Sequence, residues 1–148
     1  MMANSLILVV NDNADQGELL RAFLEESGYR VLIAFDGSQA VEIAMRERPD
    51  LVISDISMPV MNGIQLCRTL RADRVFVLVP ILLVTAIYKD HETVIEALAA
   101  GADDYIEAPY DPYRLVGKVA RLLERRKGEE VLKQREESFR TSPRNLCL

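Results

Sequence analysis

Short, continuous runs of apolar residues alternate along the chain with stretches whose apolar residues recur at helical spacing. The runs are Leu6–Val10, Val31–Ala34, Leu51–Ser54, Ile81–Thr85 and a weaker one at Asp104–Ile106. Continuous rather than alternating hydrophobicity is typical of strands buried on both faces, as in parallel sheets. We therefore predict five strands in a parallel sheet.

The segments between these runs predict amphipathic helices. Leu19, Leu20, Phe23 and Leu24 recur on one helical face, and Gly28 follows them as a C-terminal cap. Further helices are predicted at Gln39–Arg48, Gly63–Ala72 and His91–Ala100, and a last one begins at Asp111-Pro112. Five consecutive βα units predict a doubly wound α/β fold.

Polar side chains stand at the ends of several predicted strands. Asn11 and Asp12 follow the first strand, Asp55 the third and Thr85 the fourth, while Glu107-Ala108-Pro109 follows the fifth. In open parallel sheets, ligands bind beyond the carboxyl ends of the strands. We therefore expect two carboxylates and a hydroxyl to meet at one edge of the sheet.

The predicted proximity of Asp12 and Asp55 has a chemical consequence. Two neighbouring carboxylates repel each other unless one is protonated or a cation lies between them. Oxygen ligands of this kind suit a hard divalent ion, Mg²⁺ above all. Such a cation would also neutralise an incoming phosphate, and an ionised carboxylate can then act as a nucleophile without a general base.

Charge is distributed unevenly over the 148 residues. From Arg121 onward there are eight basic and five acidic residues, which leaves ten basic and 18 acidic residues, a net charge of −8, before it. An acidic body suits a metal cation or a basic partner, although an ordinary solvated surface explains many of these carboxylates equally well. The charge argues against direct nucleic-acid binding.

Composition also bears on the cellular compartment. Cys67 and Cys147 form neither a disulfide framework nor a metal-binding motif, which favours a reducing environment. We recognise neither a signal peptide nor a membrane-spanning stretch and expect a soluble, cytoplasmic protein.

The C-terminal residues differ from the rest. We predict a domain over residues 1–126 and a charged helical tail over 127–148, with disorder after Ser142-Pro143. This tail would lead toward an output or sensor domain.

Four segments carry a family resemblance, spread over roughly residues 5–126. They are VVND at Val9–Asp12, LVISDISMPVMNG at Leu51–Gly63, PILLVTA at Pro80–Ala86 and GADDYIEAP at Gly101–Pro109. Together they resemble the receiver domains of response regulators in two-component signalling. The resemblance implies a flavodoxin-like fold with strand order 2-1-3-4-5, five helices and, in this chain, a C-terminal helical extension.

The resemblance also implies roles for individual residues. Asp55 would be the phosphoacceptor, and Mg²⁺ would bind Asp12, Asp55 and the backbone carbonyl of Ser57. Thr85 and Tyr105 would form the conformational switch. Ile87 would stand where the family controls the access of water to the phosphorylated site.

Two positions depart from the family pattern. Asn11 replaces the first member of an acidic pair, so it would hold Mg²⁺ only weakly and through water. Ala108 replaces the usual lysine, and its methyl group can neither donate a hydrogen bond nor carry charge. The side chain of Lys89 could reach the site and replace the missing lysine.

The resemblance implies a phosphorelay receiver that accepts a phosphoryl group from a histidine kinase or phosphotransfer protein, with blunted switching. It would catalyse at most its own phosphorylation and dephosphorylation and would not be a metabolic enzyme. A homodimer is compatible with this reading. The alternative is a phosphorylation-independent pseudo-receiver that acts as an interaction or dimerisation module. A flavodoxin-like enzyme is disfavoured because the chain lacks a Gly-rich phosphate loop.

Overall fold

The computed structural model describes residues 4–86 and 91–141, with side chains as far as residue 129. Within these residues, five strands alternate with five α-helices. The strands are β1 (Leu6–Val10), β2 (Arg30–Ala34), β3 (Leu51–Asp55), β4 (Ile81–Ala86) and β5 (Asp104–Ala108). The helices are α1 (Ala14–Glu26), α2 (Gly37–Glu47), α3 (Gly63–Arg71), α4 (His91–Ala99) and α5 (Pro112–Thr141).

The strands form one parallel sheet in the order β2-β1-β3-β4-β5. This order confirms the predicted doubly wound architecture. Because β1 and β3 lie side by side at the centre, the residues that follow them meet at one edge. Asp55 pairs in register with Val84, which places it one residue before Thr85 on the neighbouring strand.

The core consists of two layers, one on each face of the sheet. Leu8 and Val10 of β1 pack with buried residues of α2, α3 and α4. Ile7 and Val9 point the other way and pack with buried residues of α1 and α5. Side chains of successive strand residues alternate between faces, so an all-apolar strand is what two covered faces require.

Element boundaries differ slightly from the sequence prediction. Asp55 is the last residue of β3, β4 continues to Ala86, and β5 reaches Ala108. A short 3₁₀ helix at Arg74–Phe76, capped by Asp73, was not predicted. Its Phe76 is completely buried, so this turn closes the core beneath β4.

The last helix, α5, runs for 30 residues, which confirms the helical extension. It is held by acidic residues at the amino ends of the strands. Asp104 accepts a hydrogen bond from Lys118 at 2.7 Å, and Asp50 accepts one from Arg126 at 2.8 Å. Among the described residues, every helix is too short or too polar to cross a membrane.

Candidate functional site

Asp55 lies half-buried at the carboxyl end of the central strand β3. The chain then turns tightly into α3, where Asn62 and Gln65 form a reciprocal capping box. A Cβ atom at Gly63 would lie 2.2 Å from the carbonyl oxygen of Asp55. The turn that positions Asp55 therefore requires glycine at residue 63.

The surroundings of Asp55 disfavour its charge. Burial raises the pKa of Asp55 to about 6, and the negative charge of the nearby Asp12 contributes to this rise. Asp12 itself is exposed, just after β1. The structure thus brings together the two carboxylates that the sequence predicted would meet. Their mutual repulsion contributes to the raised pKa of Asp55, the more buried of the two.

This pair fits a divalent cation. Two carboxylates with an unfavourable mutual interaction supply the hard oxygen ligands that Mg²⁺ prefers, and the ion would remove the repulsion. Among the described residues, no group of three or more Asp, Glu, His or Cys side chains is arranged to hold a metal. Any further ligands would therefore be backbone oxygens or water, as Mg²⁺ commonly accepts.

Asn11 is buried and engaged within its own loop. Its Oδ1 accepts a hydrogen bond from the backbone N–H of Asn13 at 2.8 Å, and its Nδ2 donates to Oε1 of Gln16 at 3.4 Å. Asn13 in turn caps α1 through Gln16. Asn11 therefore shapes the β1–α1 turn.

Thr85 presents an unpartnered hydroxyl beside Asp55. The residue is buried, and its Oγ1 has no hydrogen-bond partner among the described residues. An unsatisfied buried hydroxyl costs about 1–3 kcal/mol. Such a group is well suited to bind a ligand atom that arrives from outside.

Asp55 and Thr85 lie at a cavity of about 390 Å³. Ala108 and Pro109 after β5 form part of its wall, together with Tyr110. Helix α1 contributes Gln16, Leu19, Leu20 and Phe23. The methyl group of Ala108 thus borders open space in the place where the family pattern would have a lysine.

Tyr110 was missed by the sequence analysis. It is half-buried at the cavity, and burial, followed by the charge of Asp55, raises the pKa of its hydroxyl. Tyr110 therefore stays protonated at neutral pH and can donate a hydrogen bond. Its position directly after Ala108-Pro109 was the available signal in the sequence.

The other predicted site residues are less tightly grouped. Ser57 is exposed and borders the cavity. Tyr105 is half-buried on β5, in register with Leu83, and is not among the residues that line the cavity. Ile87 and Lys89 lie outside the described residues.

The parallel sheet of order 2-1-3-4-5, with two carboxylates at its carboxyl edge, defines a doubly wound fold of the flavodoxin-like class. A family model of the response regulator receiver domain matches residues 7–120. The chain belongs to this response regulator receiver family. Receivers are signalling domains rather than metabolic enzymes.

Similar curated proteins are longer than this chain. The DNA-binding response regulator MtrA of Mycobacterium tuberculosis is 43% identical over 123 residues, which cover 83% of this chain and 52% of MtrA. The transcriptional regulatory protein PhoP of Bacillus subtilis, for alkaline phosphatase synthesis, is 38% identical over 122 residues, covering 82% and 50%. The chain thus spans about half the length of these relatives.

Solved structures agree with the fold. The receiver domain of a signal transduction histidine kinase from Syntrophus aciditrophicus has a TM-score of 0.76 and 39% identity, covering 81% of this chain and 90% of that one. The chemotaxis protein CheY4 of Vibrio cholerae also has a TM-score of 0.76, with 30% identity over 81% and 99% of the two chains. These comparisons favour a phosphorelay receiver over a phosphorylation-independent module.

Proposed function

We propose that Asp55 is the residue that accepts a phosphoryl group in this receiver. The observation that carries the proposal is the position of its carboxylate, half-buried at the end of β3, where it interacts with the charge of Asp12 and lines the same cavity as Thr85, whose hydroxyl has no partner among the described residues. The donor would be a phosphorylated histidine kinase or phosphotransfer protein, or a small acyl phosphate.

The carboxylates of Asp12 and Asp55 would hold Mg²⁺, with the backbone carbonyl of Ser57 as a third ligand and a water molecule bridging to Asn11. The ion would neutralise charge on the phosphoryl group. With a cation between the two carboxylates, Asp12 would no longer disfavour the charged form of Asp55. Because Asn11 carries no charge, we expect this binding to be weak.

The transfer itself is a displacement at phosphorus. A carboxylate oxygen of Asp55 forms the new P–O bond, while the bond from phosphorus to the donor's nitrogen or oxygen breaks and its electron pair leaves with the donor. No base is required, because the nucleophile is already ionised above its pKa of about 6. The receiver would thereby catalyse its own phosphorylation, and water attack on the product would reverse it.

The conformational response would involve Thr85 and Tyr105. The Thr85 hydroxyl would donate a hydrogen bond to the new phosphoryl oxygen, and Tyr105 would reorient in concert. Ala108 offers neither charge nor donor to this group. We therefore expect a blunted switch, since a switch needs several kcal/mol of differential binding.

The domain organisation that we propose is supported by the greater length of the relatives, of which this chain covers about half. We infer that residues 1–126 form the receiver and that 127–148 form a helical linker to an output or sensor domain, in a cytoplasmic protein that can dimerise. MtrA is described as DNA-binding. In this chain, any such contact would belong to a segment beyond the acidic receiver.

The proposal is tested by incubating the protein with Mg²⁺ and acetyl phosphate and recording its intact mass. We expect the mass of one phosphoryl group to be added, and we expect a chelator or Asp55→Asn to prevent it. Asp12→Asn, which keeps the acceptor, should slow the reaction at least tenfold at low Mg²⁺. An unmodified protein at saturating donor and Mg²⁺ would contradict the proposal.

A further inference from the structure

The residues that line the cavity beside Asp55 differ in chemistry. Asp55 and Thr85 both line it, and the hydroxyl of Thr85, a residue only 3% exposed, has no partner among the described residues. Asn11, Gln16 and Ser57 are also polar, whereas most of the remaining lining is apolar and includes Leu19, Leu20, Phe23, Ala108, Pro109 and Pro112. A volume of about 390 Å³ falls in the range of small-molecule sites.

Charge in and around this cavity is unbalanced. None of the described residues that line it is a lysine, arginine or histidine, so Asp55 faces no cation from the cavity walls. The negative charge of Asp12 acts on Asp55 as well. In the absence of Mg²⁺, an anion would therefore be repelled, and a neutral apolar molecule would leave the carboxylate without a counter-charge.

Aromatic rings on the wall add to the preference for a cation. Phe23 and Tyr110 border the cavity from opposite elements, α1 and the β5–α5 loop. Aromatic faces attract ammonium groups. An ammonium also has three N–H donors, enough to satisfy Asp55 and the Thr85 oxygen together.

We propose that this cavity binds a small primary ammonium ion with an apolar body. The ammonium donates hydrogen bonds to the Asp55 carboxylate and Thr85 Oγ1. The apolar body packs between Leu20 and Phe23 of α1 and Pro109 of the β5–α5 loop. This binding does not require phosphorylation, so its test is independent of the test of the proposed function.

The first test compares two probes of the same shape and different charge. 2-Phenylethylammonium and 2-phenylethanol are titrated into the ¹⁵N-labelled protein in Mg²⁺-free buffer, and amide shifts are followed by NMR. We expect saturable shifts at Thr85, Ala108 and neighbouring residues, with the amine bound at least tenfold more tightly than the alcohol. Equal affinity for both probes, or shifts of the amine that do not saturate at this site, would overturn the proposal.

The second test uses variants. Asp55→Asn removes the counter-charge, and Ala108→Lys places a side-chain ammonium in the cavity, so each should weaken amine binding at least tenfold. Ala99→Lys adds the same charge on the exposed surface of α4 and serves as the matched control. Unchanged affinity in both cavity variants, or an equal loss in Ala99→Lys, would contradict the assignment. The probe comparison needs no variant and therefore holds even if a variant folds poorly.

Discussion

At the scale of single residues, the site depends on a carboxylate kept in unfavourable surroundings. Asp55 is partly removed from water and faces Asp12, and both effects raise its pKa. Such a group binds cations readily because a cation relieves the penalty that folding imposed. When no cation is present, the ionised Asp55 therefore lowers the free energy of unfolding.

This cost predicts a pH dependence of stability. The pKa of Asp55 is about 6 in the folded state and about 4 in the unfolded state. The folded protein therefore binds more protons between these values, and the free energy of unfolding should fall as pH rises through this window. In Mg²⁺-free buffer at pH 8, Asp55→Asn should be more stable than wild type by about 1–2 kcal/mol, after allowing for solvent screening.

The measurement is urea denaturation of both proteins at pH 4 and pH 8. The advantage of Asp55→Asn should shrink toward pH 4, where Asp55 is protonated in the folded state and about half protonated in the unfolded state. Glu42→Gln, which removes an exposed carboxylate on α2, controls for the change in net charge. A variant that is less stable than wild type at pH 8 would refute this account of Asp55.

Individual residues were predicted from sequence to different extents. The proximity of Asp12, Asp55 and Thr85 was predicted because the carboxyl ends of parallel strands lie at the same edge of the sheet. The cavity and Tyr110 were not, because they depend on how α1 packs against the β5–α5 loop. That packing brings residues about 90 positions apart together, and no local pattern encodes it.

At the scale of elements, the β3–α3 loop contains an unfavourable backbone conformation. Val60 has φ of 70° and is 84% exposed. A β-branched residue rarely adopts a positive φ, whereas glycine does so without penalty. This strain could not be predicted from the sequence, since Pro59-Val60 alone does not determine the turn type.

Val60→Gly should therefore stabilise the protein by about 1 kcal/mol, since the relief of strain exceeds the extra chain entropy of glycine. Val75→Gly is the matched control, because Val75 is also partly exposed but lies in an ordinary 3₁₀ turn, where glycine should destabilise. Thermal denaturation of both variants checks the prediction. A lower melting temperature for Val60→Gly would show that the loop is not strained.

A second element-scale feature holds the helices at the amino edge of the sheet. Arg71 at the end of α3 donates to Asp103 at 2.6 Å, to the carbonyl oxygens of Phe76 and Val79, and to Gly101 O. Asp103 also accepts hydrogen bonds from the backbone N–H of Ile81 and from Arg125 of α5. This network joins α3, β4, β5 and α5.

Asp103→Ala should destabilise the protein by about 2–4 kcal/mol, because Arg71 and the Ile81 N–H lose a part-buried acceptor. The exposed pair Arg46–Glu47 offers a control, and Glu47→Ala should cost less than about 0.5 kcal/mol. Chemical denaturation of both variants measures the two losses in the free energy of unfolding. Similar losses for both variants would mean that the Asp103 network contributes no more than a surface ion pair.

At the scale of the whole molecule, the candidate site and the C-terminal helix are directly connected. Pro112 lines the cavity and is also the first residue of α5. The helix continues for 30 residues, a length of about 45 Å at 1.5 Å per residue. A rearrangement at the β5–α5 loop would therefore be transmitted to the segment that we infer to be the linker.

The overall architecture was the part most readily predicted. Five continuous apolar runs separated by amphipathic segments allow few topologies once right-handed crossovers are required. The length of β5 was underestimated because Glu107 and Ala108 lack strand character, and its pairing with β4 extends it. Pairing depends on a partner strand, which a local pattern does not contain.

Residue-level mapping distinguishes phosphorylation of Asp55 from phosphorylation of any other carboxylate. The protein is treated with Mg²⁺ and acetyl phosphate, the acyl phosphate is reduced with borohydride, and the peptides are sequenced by tandem mass spectrometry. We predict that homoserine replaces aspartate at residue 55 and at no other position. Trapping at Asp12 or Asp50 instead, or recovery of only unmodified Asp55 at saturating donor, would contradict it.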